Sequence, residues 1–284
     1  MNEDLLEMPL EENMAEEDFV RDDDDAPETV PVPSSLVPHL SETAILLDID
    51  GTLLDLMPTP REVWVPPGLV KTLNRLLVRT NGALALVSGR SLNDIDLIFA
   101  PDQYPAVGGH GAEMRIEPDS ESVDAHAPPL DKELKRRLAA IAKLSPGILL
   151  EDKGYSLALH YRLAPHAEKA IYAAVSLIRA DLPNAPIEVL PGKCVCEIKH
   201  SGFTKATGVL ELMNHEPFKG RRPFFIGDDV TDESVFAIMP DLRGLSFSVG
   251  RRAKGVAGHF DEPSDVREWL AHLLDDEKAV TDPL

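Results

Sequence analysis

The stretch Ala44-Ile45-Leu46-Leu47-Asp48-Ile49-Asp50-Gly51-Thr52 decides the fold. Its first four residues are all apolar, as in a strand that is buried on both faces of a parallel sheet. Two carboxylates follow at the end of this strand, where open α/β sheets bind their ligands. Because Asp48 and Asp50 repel each other, their placement together calls for a cation. Taken alone, Asp48, Asp50 and Gly51 could also form an ordinary loop in which water solvates both carboxylates.

Strands and helices alternate on both sides of this stretch. A helix is predicted near residues 68–80, a strand at 83–87, a helix capped by Ser91 and a strand at 104–107. After residue 199 come a helix capped by Thr204, strands at 223–226 and 245–249, and a last helix capped by Ser264. This alternation predicts an α/β fold with a doubly wound parallel sheet.

Between the two halves of this pattern the apolar spacing changes. A helix is predicted at 131–144, a strand at 155–162, a long helix from Pro165 and a strand at 193–199. Both strands alternate polar and apolar residues, which is typical of strands with one exposed face. We therefore expect a smaller α/β cap domain at 129–199, inserted into a core formed by 41–128 and 200–275, with a flexible segment at 276–284.

Acidic residues are concentrated at one end of the chain. The 284 residues carry a net charge of −21, and residues 1–40 hold 13 acids and one base, Arg21. This segment also contains Pro27, Pro31, Pro33 and Pro38, so we expect a disordered tail, a solvated extension more than a partner-binding or autoregulatory element. The remaining residues carry a net charge of −9 and no basic stripe, which argues against nucleic-acid binding.

Several features favour a cytoplasmic protein. No apolar run approaches the ~20 residues of a membrane span. The first residues lack the basic and apolar regions of a secretory signal. The two cysteines cannot form a disulfide framework. We therefore expect no membrane association.

Polar residues follow the other predicted core strands as well. Ser88-Gly89-Arg90 follows the second strand, and Gly227-Asp228-Asp229 follows a later one, with Asp232 close behind. Lys205 lies in the first turn of a helix, where a cation opposes the helix dipole, so we expect it to face an anion. Taken one at a time, each has an ordinary explanation: Ser88 as a helix cap, the aspartates as loop residues, and Lys205 as a surface lysine. Their order at successive strand ends favours a single site.

This set of residues suits phosphoryl transfer through a covalent intermediate. Asp48 is expected to attack phosphorus, and Asp50 to protonate the leaving oxygen and then deprotonate the attacking water. Ser88, Gly89 and Lys205 are expected to bind the phosphoryl oxygens.

Hard oxygen ligands at the same edge predict a Mg²⁺ site. The expected ligands are the Asp48 carboxylate, the Asp50 carbonyl oxygen and the Asp228 carboxylate. The residues expected to support them are Thr52, which would orient Asp50, together with Asp229 and Asp232.

The motifs around Asp48, Ser88, Lys205 and Asp228 resemble, in that order, the four motifs of the haloacid-dehalogenase (HAD) superfamily of phosphatases, over roughly residues 42–272. Five further stretches resemble the trehalose-6-phosphate phosphatases, namely 108–113, 153–155, 160–162, 192–197 and 227–233. The resemblance implies Mg²⁺ dependence, a mobile cap, and hydrolysis of trehalose 6-phosphate through an aspartyl-phosphate, the final step of trehalose biosynthesis. It also leaves room for a trehalose-6-phosphate synthase as partner.

The period of the strand at 193–199 separates its residues into two sets. Lys193 and Glu197 share a face, where a donor and an acceptor suit sugar hydroxyls. Cys194 and Cys196 share the opposite face. With His200 they lack a convincing fourth zinc ligand, so we expect buried free thiols.

Other candidate substrate-binding residues come from the resemblance as much as from spacing. His160 fits a structural role and a binding role equally, and the backbone donors of the 108–111 loop are expected to contact the sugar. The candidates beyond strand 193–199 are Arg90, His110, Glu113, Lys153, His160 and Arg162.

Three other functions compete with this interpretation. A sucrose-phosphate phosphatase or a broad hexose phosphatase of the same superfamily would use the same core motifs. A signalling receiver domain also pairs acids with a lysine, but is about half as long and has no large insertion. A non-catalytic sugar-phosphate-binding subunit usually lacks one catalytic group, whereas Asp48, Asp50, Lys205 and Asp228 are all present.

Overall fold

A computed structural model describes residues 39–57, 63–118, 124–125, 127–192 and 194–280. The predicted disorder of the tail therefore falls, up to residue 38, outside the described residues. The described chain begins with a short 3₁₀ turn, Leu40–Glu42, in which Leu40 is buried. The core thus starts one residue earlier than the predicted boundary.

Twelve strands and seven α-helices are found among the described residues. The strands are β1 Thr43–Leu47, β2 Leu84–Val87, β3 Ala106–Gly108, β4 Glu113–Arg115, β5 Asp124–Ala125, β6 Leu149–Asp152, β7 Ser156–His160, β8 Ile187–Gly192, β9 Val195–His200, β10 Arg222–Gly227, β11 Leu245–Val249 and β12 Gly258–Phe260. The helices are α1 Leu69–Arg79, α2 Leu92–Phe99, α3 Lys132–Ile141, α4 Glu168–Asp181, α5 Lys205–Leu212, α6 Glu233–Ile238 and α7 Pro263–Val280.

The larger sheet has eight strands in the order β12-β11-β10-β1-β2-β3-β4-β5. The six strands from β12 to β3 are parallel; five of them were predicted, and β12 was not. Strands β4 and β5 add to the β3 edge in antiparallel orientation. The sheet is therefore mixed. The sequence prediction did not include β4 and β5, because strands of three and two residues are too short to show an alternating pattern.

Alternate residues of the central strand β1 face opposite layers of helices. Ile45 and Leu47 pack in the apolar cluster that includes α1, α2 and α7. Ala44 and Leu46 pack in a second cluster with α5 and α6. This placement confirms the doubly wound core, because a strand covered on both faces needs apolar residues at every position.

A second sheet of four antiparallel strands, in the order β6-β7-β9-β8, forms the cap. Helices α3 and α4 cover one face, and Leu138, Ile171 and Ile198 are among the buried residues of its separate apolar cluster. The sequence pattern showed β7 and β9 but not β6 and β8. All four residues of β6 are exposed, and β8 ends in Pro191-Gly192, so neither has the usual composition of a strand.

The last helix differs from its prediction at both ends. It begins at Pro263 instead of after Ser264, and it continues to Val280, past the predicted boundary at 275. The predicted flexibility of residues 281–284 concerns residues outside those described. Within the described part of the chain, the helices are too short or too polar to cross a membrane.

Candidate active site

Three charged side chains meet in the interior at the carboxyl end of β1. Asp48 directly follows β1, Lys205 is the first residue of α5, and Asp232 lies in a 3₁₀ turn after β10. The Lys205 ammonium donates to Asp48 Oδ1 at 2.7 Å and to Asp232 Oδ1 at 2.8 Å. All three residues are buried, with 4% or less of their surface exposed. Lys205 therefore faces an anion, as its place in the first turn predicted.

The opposite charges of Asp48, Lys205 and Asp232 partly offset the free energy that it costs to bury them. Burial lowers the pKa of Lys205, but the negative charges of Asp48 and Asp232 raise it by more. The pKa of Lys205 therefore lies above its ordinary value. Burial raises the pKa of Asp48 well above its ordinary range, Lys205 opposes this rise, and Asp232 and Asp228 add to it by repulsion. A single ammonium therefore does not compensate the negative charge gathered here.

Asp228, which follows β10, completes a group of three carboxylates. One oxygen each from Asp48, Asp228 and Asp232 lie within 4.8 Å of one another. Burial, together with the charge of Asp232, raises the pKa of Asp228 from 3.8 to about 6. Hard carboxylate oxygens with excess negative charge are the donor set that divalent cations such as Mg²⁺ prefer, so these residues fit a metal.

The residues predicted to support the metal site are placed differently from the prediction. Thr52 Oγ1 donates to Asp48 Oδ2 at 3.2 Å and contacts Asp228 Oδ1 at 3.5 Å, and so it orients Asp48 instead of Asp50. Asp232 binds Lys205 and accepts from the backbone N–H of Asp229 at 3.0 Å. Asp229 itself is exposed and caps the 3₁₀ turn that carries Asp232.

Gly51 allows the β1 loop and the β10 loop to approach each other. Its φ of +79° lies in the left-handed region, and an added Cβ would lie 2.1 Å from Asp228 Oδ2. A side chain at this position would therefore displace a candidate metal ligand.

Asp50 lies at the rim of the site, where Arg90 holds it. Arg90 Nε donates to Asp50 Oδ2 and Nη2 to Oδ1, both at 2.6 Å. The Asp50 side chain is 38% exposed, whereas that of Arg90 is 15% exposed. Two charge-assisted hydrogen bonds therefore fix the position of the Asp50 carboxylate at the rim.

Ser88 and the loop after β3 form the adjoining wall. Ser88 is buried at the end of β2, and its Oγ accepts from the Arg90 backbone N–H at 3.1 Å. The backbone N–H groups of Gly109 and His110 donate to Arg90 O and Ser88 O. The prediction that this loop offers its backbone donors to a sugar is therefore wrong at these two positions, because both donors are used to brace the β2 loop.

His110 is placed close to the phosphate-binding candidates. An added Cβ on Gly89 would lie 2.4 Å from His110 Nε2, so the glycine makes room for the imidazole. Burial lowers the pKa of His110 to about 3, and the positive charges of Lys205, Lys199 and Lys153 add to this effect. The side chain is consequently neutral near pH 7.

A cavity of about 400 Å³ joins this edge of the core to the cap. From the core it is lined by Asp48 and His110, among others, and from the cap by Glu151, Lys153 and His160. The site residues predicted from the sequence that line it are Asp48, Asp50, Ser88, Gly89, Arg90, His110, Lys153, His160, Lys205, Asp228 and Asp229.

Glu197 lies beside the cap wall of this cavity. Its Oε1 accepts from Ser156 Oγ at 2.8 Å and lies 3.7 Å from the Lys153 ammonium. Lys153 is followed by Gly154, whose φ of +86° gives the turn that brings the lysine forward. The pairing of a donor and an acceptor on this face therefore involves Lys153, while Lys193 lies outside the described residues.

Glu113 and Arg162, two of the predicted substrate-binding residues, lie away from the cavity. Glu113 accepts from the backbone N–H of Leu92 at 2.6 Å, so it caps α2. Arg162 is exposed in the turn after β7, which ends two residues earlier. The two cysteines are free, as predicted, but only Cys196 is buried; Cys194 adopts a positive φ of 61° in a turn and is partly exposed.

Glu151 is the main cavity residue that the sequence prediction missed. It lies on β6, and its Oε2 is 2.9 Å from His160 Nε2 on the neighbouring strand β7. The spacing Glu151-x-Lys153 was the available signal, because alternate strand residues share a face. This spacing is informative only if residues 149–152 are known to form a strand, and the sequence did not predict that strand.

Together the fold and the site resemble the HAD-type phosphatases, with a buried aspartate after the central strand, a buried lysine and an inserted cap. The family model described as "Trehalose-phosphatase" matches residues 46–264, so the chain belongs to the trehalose-phosphatase family.

Curated relatives agree with this assignment. A trehalose-6-phosphate phosphatase from Escherichia coli is 37% identical over 84% of this chain and 89% of its own length. A probable trehalose-phosphate phosphatase from Sinorhizobium fredii is 42% identical over 76% of this chain and 81% of its own length. Among solved structures, the C-terminal domain of the C. albicans trehalose-6-phosphate phosphatase has a TM-score of 0.70 at 20% identity, covering 88% of this chain and 99% of that chain, and it supports the fold.

Proposed function

We propose that this chain hydrolyses trehalose 6-phosphate to trehalose and inorganic phosphate. The observation that carries the proposal is the shared cavity, in which Asp48 of the core and Lys153 and His160 of the cap line one space. Its volume of about 400 Å³ falls in the range of small-molecule sites. A phosphate group would lie at the core end and a polyhydroxylated sugar at the cap end.

The chemistry proceeds in two displacements at phosphorus. In the first, an Asp48 carboxylate oxygen attacks the phosphorus, the bond from phosphorus to the sugar oxygen breaks, and Asp50 gives that oxygen a proton. In the second, water attacks the aspartyl-phosphate, Asp50 takes a proton from the water, and Asp48 is released with inorganic phosphate. Protonated Asp50 no longer has a charge to pair with Arg90, so the bidentate contact breaks and forms once in each cycle.

In this proposal, the phosphoryl oxygens are held by residues that already have fixed hydrogen-bond partners. Lys205 is fixed by Asp48 and Asp232, and the Ser88 hydroxyl is fixed by the Arg90 backbone. Both would face the oxygens on which negative charge increases during transfer. Neutral His110 adds a hydrogen-bonding group without a further charge.

We propose Mg²⁺ as the cation of the carboxylate cluster, with Asp48, Asp228 and the Asp50 carbonyl oxygen as protein ligands. When bound, it would offset negative charge on the phosphoryl group and on the two carboxylates. The raised pKa values of Asp48 and Asp228 support this choice, because they show negative charge that Lys205 leaves uncompensated.

Sugar recognition is assigned to the Lys153–Glu197 pair. The ammonium can only donate and the carboxylate can only accept, so together they suit hydroxyl groups that do both. Ser156 holds Glu197 in place at 2.8 Å. We place the reaction in the cytoplasm, which the two free cysteines support. A trehalose-6-phosphate synthase remains a proposed partner, since it would supply the substrate.

The deciding experiment measures phosphate release from four substrates, with Mg²⁺ and with a chelator. The substrates are trehalose 6-phosphate, sucrose 6-phosphate, glucose 6-phosphate and p-nitrophenyl phosphate. We expect a clear preference for trehalose 6-phosphate and loss of activity with the chelator. The variant Asp48→Asn, which keeps the shape but not the nucleophile, is expected to be folded and inactive. Equal rates on all substrates would reject the specific assignment, and a faster reaction with sucrose 6-phosphate would replace it.

A further inference from the structure

Helix α1 has a basic outer face that the catalytic site does not use. Lys71, Arg75 and Arg79 follow one another at intervals of four residues, so they lie on successive turns as one stripe. The helix contains no acidic residue. Lys71 and Arg75 are exposed and have no ion-pair partner among the described residues. Val78, beside the stripe, is 73% exposed. We call this surface the α1 stripe.

The acidic segment of the same chain leaves the core beside this helix. The 3₁₀ turn Leu40–Glu42 packs against α1, and Leu40 belongs to the apolar cluster that holds Leu69, Leu73 and Leu76 of α1. Residues 1–38, which lie outside the described residues, therefore continue from a point next to helix α1.

Charge and length both fit an intramolecular contact. Residues 1–38 hold 13 acids and one base. The acid run 22–25 ends 14 residues before His39, and a linker of that length reaches from about 20 Å as a random coil to about 43 Å in the extended form that prolines favour. Helix α1, with 11 residues, is about 16 Å long. Tethering over such a distance gives an effective concentration in the millimolar range. On the same helix, Asn74 donates to Asp102 at 2.8 Å.

We propose that the acidic segment 3–25 docks on the α1 stripe of its own chain. The apolar residues of the segment, such as Leu5 and Leu6, would cover Val78 while its carboxylates face the arginines and the lysine. The contact is largely electrostatic and solvated, so it weakens as salt is added. It does not depend on the proposed phosphatase reaction.

Zero-length carbodiimide cross-linking of the full chain tests the contact directly. The reagent joins a carboxylate to an amine that touches it, and Lys71 is the lysine of the stripe. We expect mass spectrometry to find Lys71 joined to residues 3–25 at least about tenfold more often than Lys169, an exposed lysine of the cap helix α4. The excess should disappear near 1 M salt, where the screening length falls to about 3 Å. Equal linkage of the two lysines would overturn the proposal.

Paired variants separate this contact from chance collisions. Arg75→Glu combined with Arg79→Glu keeps the Lys71 amine and is expected to lower its linkage about fivefold or more. The matched control, Arg136→Glu combined with Arg179→Glu, reverses two arginines of the cap and should leave the linkage unchanged. Unchanged linkage in the stripe variant would overturn the proposal.

Two further measurements guard against misfolding and against contact between copies. Replacing residues 22–25 by asparagine leaves the core sequence intact and should also lower the Lys71 linkage. A mixture of ¹⁴N- and ¹⁵N-labelled chains should give links within one isotopic form. Links that join the two forms would show that a second copy is the partner and would overturn docking within one chain.

Discussion

Replacing Asp228 by asparagine should stabilise the metal-free protein, although Asp228 is a candidate metal ligand. In the folded chain its pKa is raised from 3.8 to about 6, first by burial and then by the charge of Asp232. A carboxyl group with a raised pKa contributes most to stability below its unfolded pKa, and this contribution is lost as pH rises from about 4 to 6. Near pH 7.5 the ionised Asp228 therefore lowers the free energy of unfolding, and asparagine, which carries no charge, restores it.

The size of the effect follows from this rise. About two pKa units correspond to about 3 kcal/mol, and partial exposure of the side chain to solvent reduces this to roughly 1.5 kcal/mol. For a protein of this size we expect a melting temperature about 3–5 °C higher for Asp228→Asn than for the unsubstituted chain at pH 7.5 with a chelator. The difference should approach zero near pH 4. Since Arg251 Nε binds the backbone oxygen of Asp228 at 2.8 Å, the loop keeps this contact in the variant.

Mg²⁺ should reverse the order of stability. A cation that binds only the folded state stabilises the unsubstituted chain, and the variant, with one carboxylate fewer, gains less. Thermal unfolding from pH 4 to 8, with chelator and with Mg²⁺, measures both effects. Asp229→Asn is the control, because Asp229 is exposed and asparagine also caps a helical turn, so its melting temperature should change little. A metal-free Asp228→Asn protein that melts below the unsubstituted chain at pH 7.5 would refute the reasoning.

Three further results are expected. Lys205→Met leaves Asp48 and Asp232 buried without a cation, so the free energy of unfolding in urea with a chelator should fall by about 3–5 kcal/mol; a loss below about 1 kcal/mol would contradict the central role of Lys205. The imidazole of His110, with a pKa of about 3, should keep a constant NMR shift between pH 5 and 8, and a titration in that range would show a charged histidine. Glu197→Ala should slow hydrolysis of trehalose 6-phosphate more than that of p-nitrophenyl phosphate, whereas the surface variant Glu133→Ala should change neither; equal losses on both substrates would remove Glu197 from sugar recognition.

The core of the site could be predicted from sequence because topology alone places it. Asp48, Ser88 and Asp228 each follow a buried parallel strand, and parallel strands end at the same edge. Lys205 could be predicted because a cation in the first turn of a helix needs a nearby anion. None of these inferences requires the conformation of a side chain.

The contacts that the sequence did not predict depend on side-chain conformation. Asp50 and Arg90 are 40 residues apart, and nothing in either motif shows that they form a bidentate pair. In sequence Thr52 is close to both Asp48 and Asp50. Only the turn at Gly51 determines that its hydroxyl contacts Asp48 and Asp228 instead of Asp50. Glu113 lies in a motif of the family, yet its carboxylate is used on the backbone of α2.

The cap was predicted only in outline, because two of its strands have unusual composition. In β6 two leucines are followed by two acids, so polar and apolar residues do not alternate, although leucines such as Leu149 are exposed. The Pro-Gly end of β8 is unusual for a strand. Without β6, neither Glu151 nor its contact with His160 could be placed.

The separate apolar interior of the cap has an evolutionary consequence. Residues of α3, α4, β7 and β9 pack among themselves, while the strands that carry Asp48 and Asp228 belong to a different interior. Substitutions in the cap strands can therefore accumulate, or a whole cap can be grafted from a related chain, without disturbing the packing beneath the carboxylate cluster. Selection can in this way change the molecule that is recognised while the reaction stays the same.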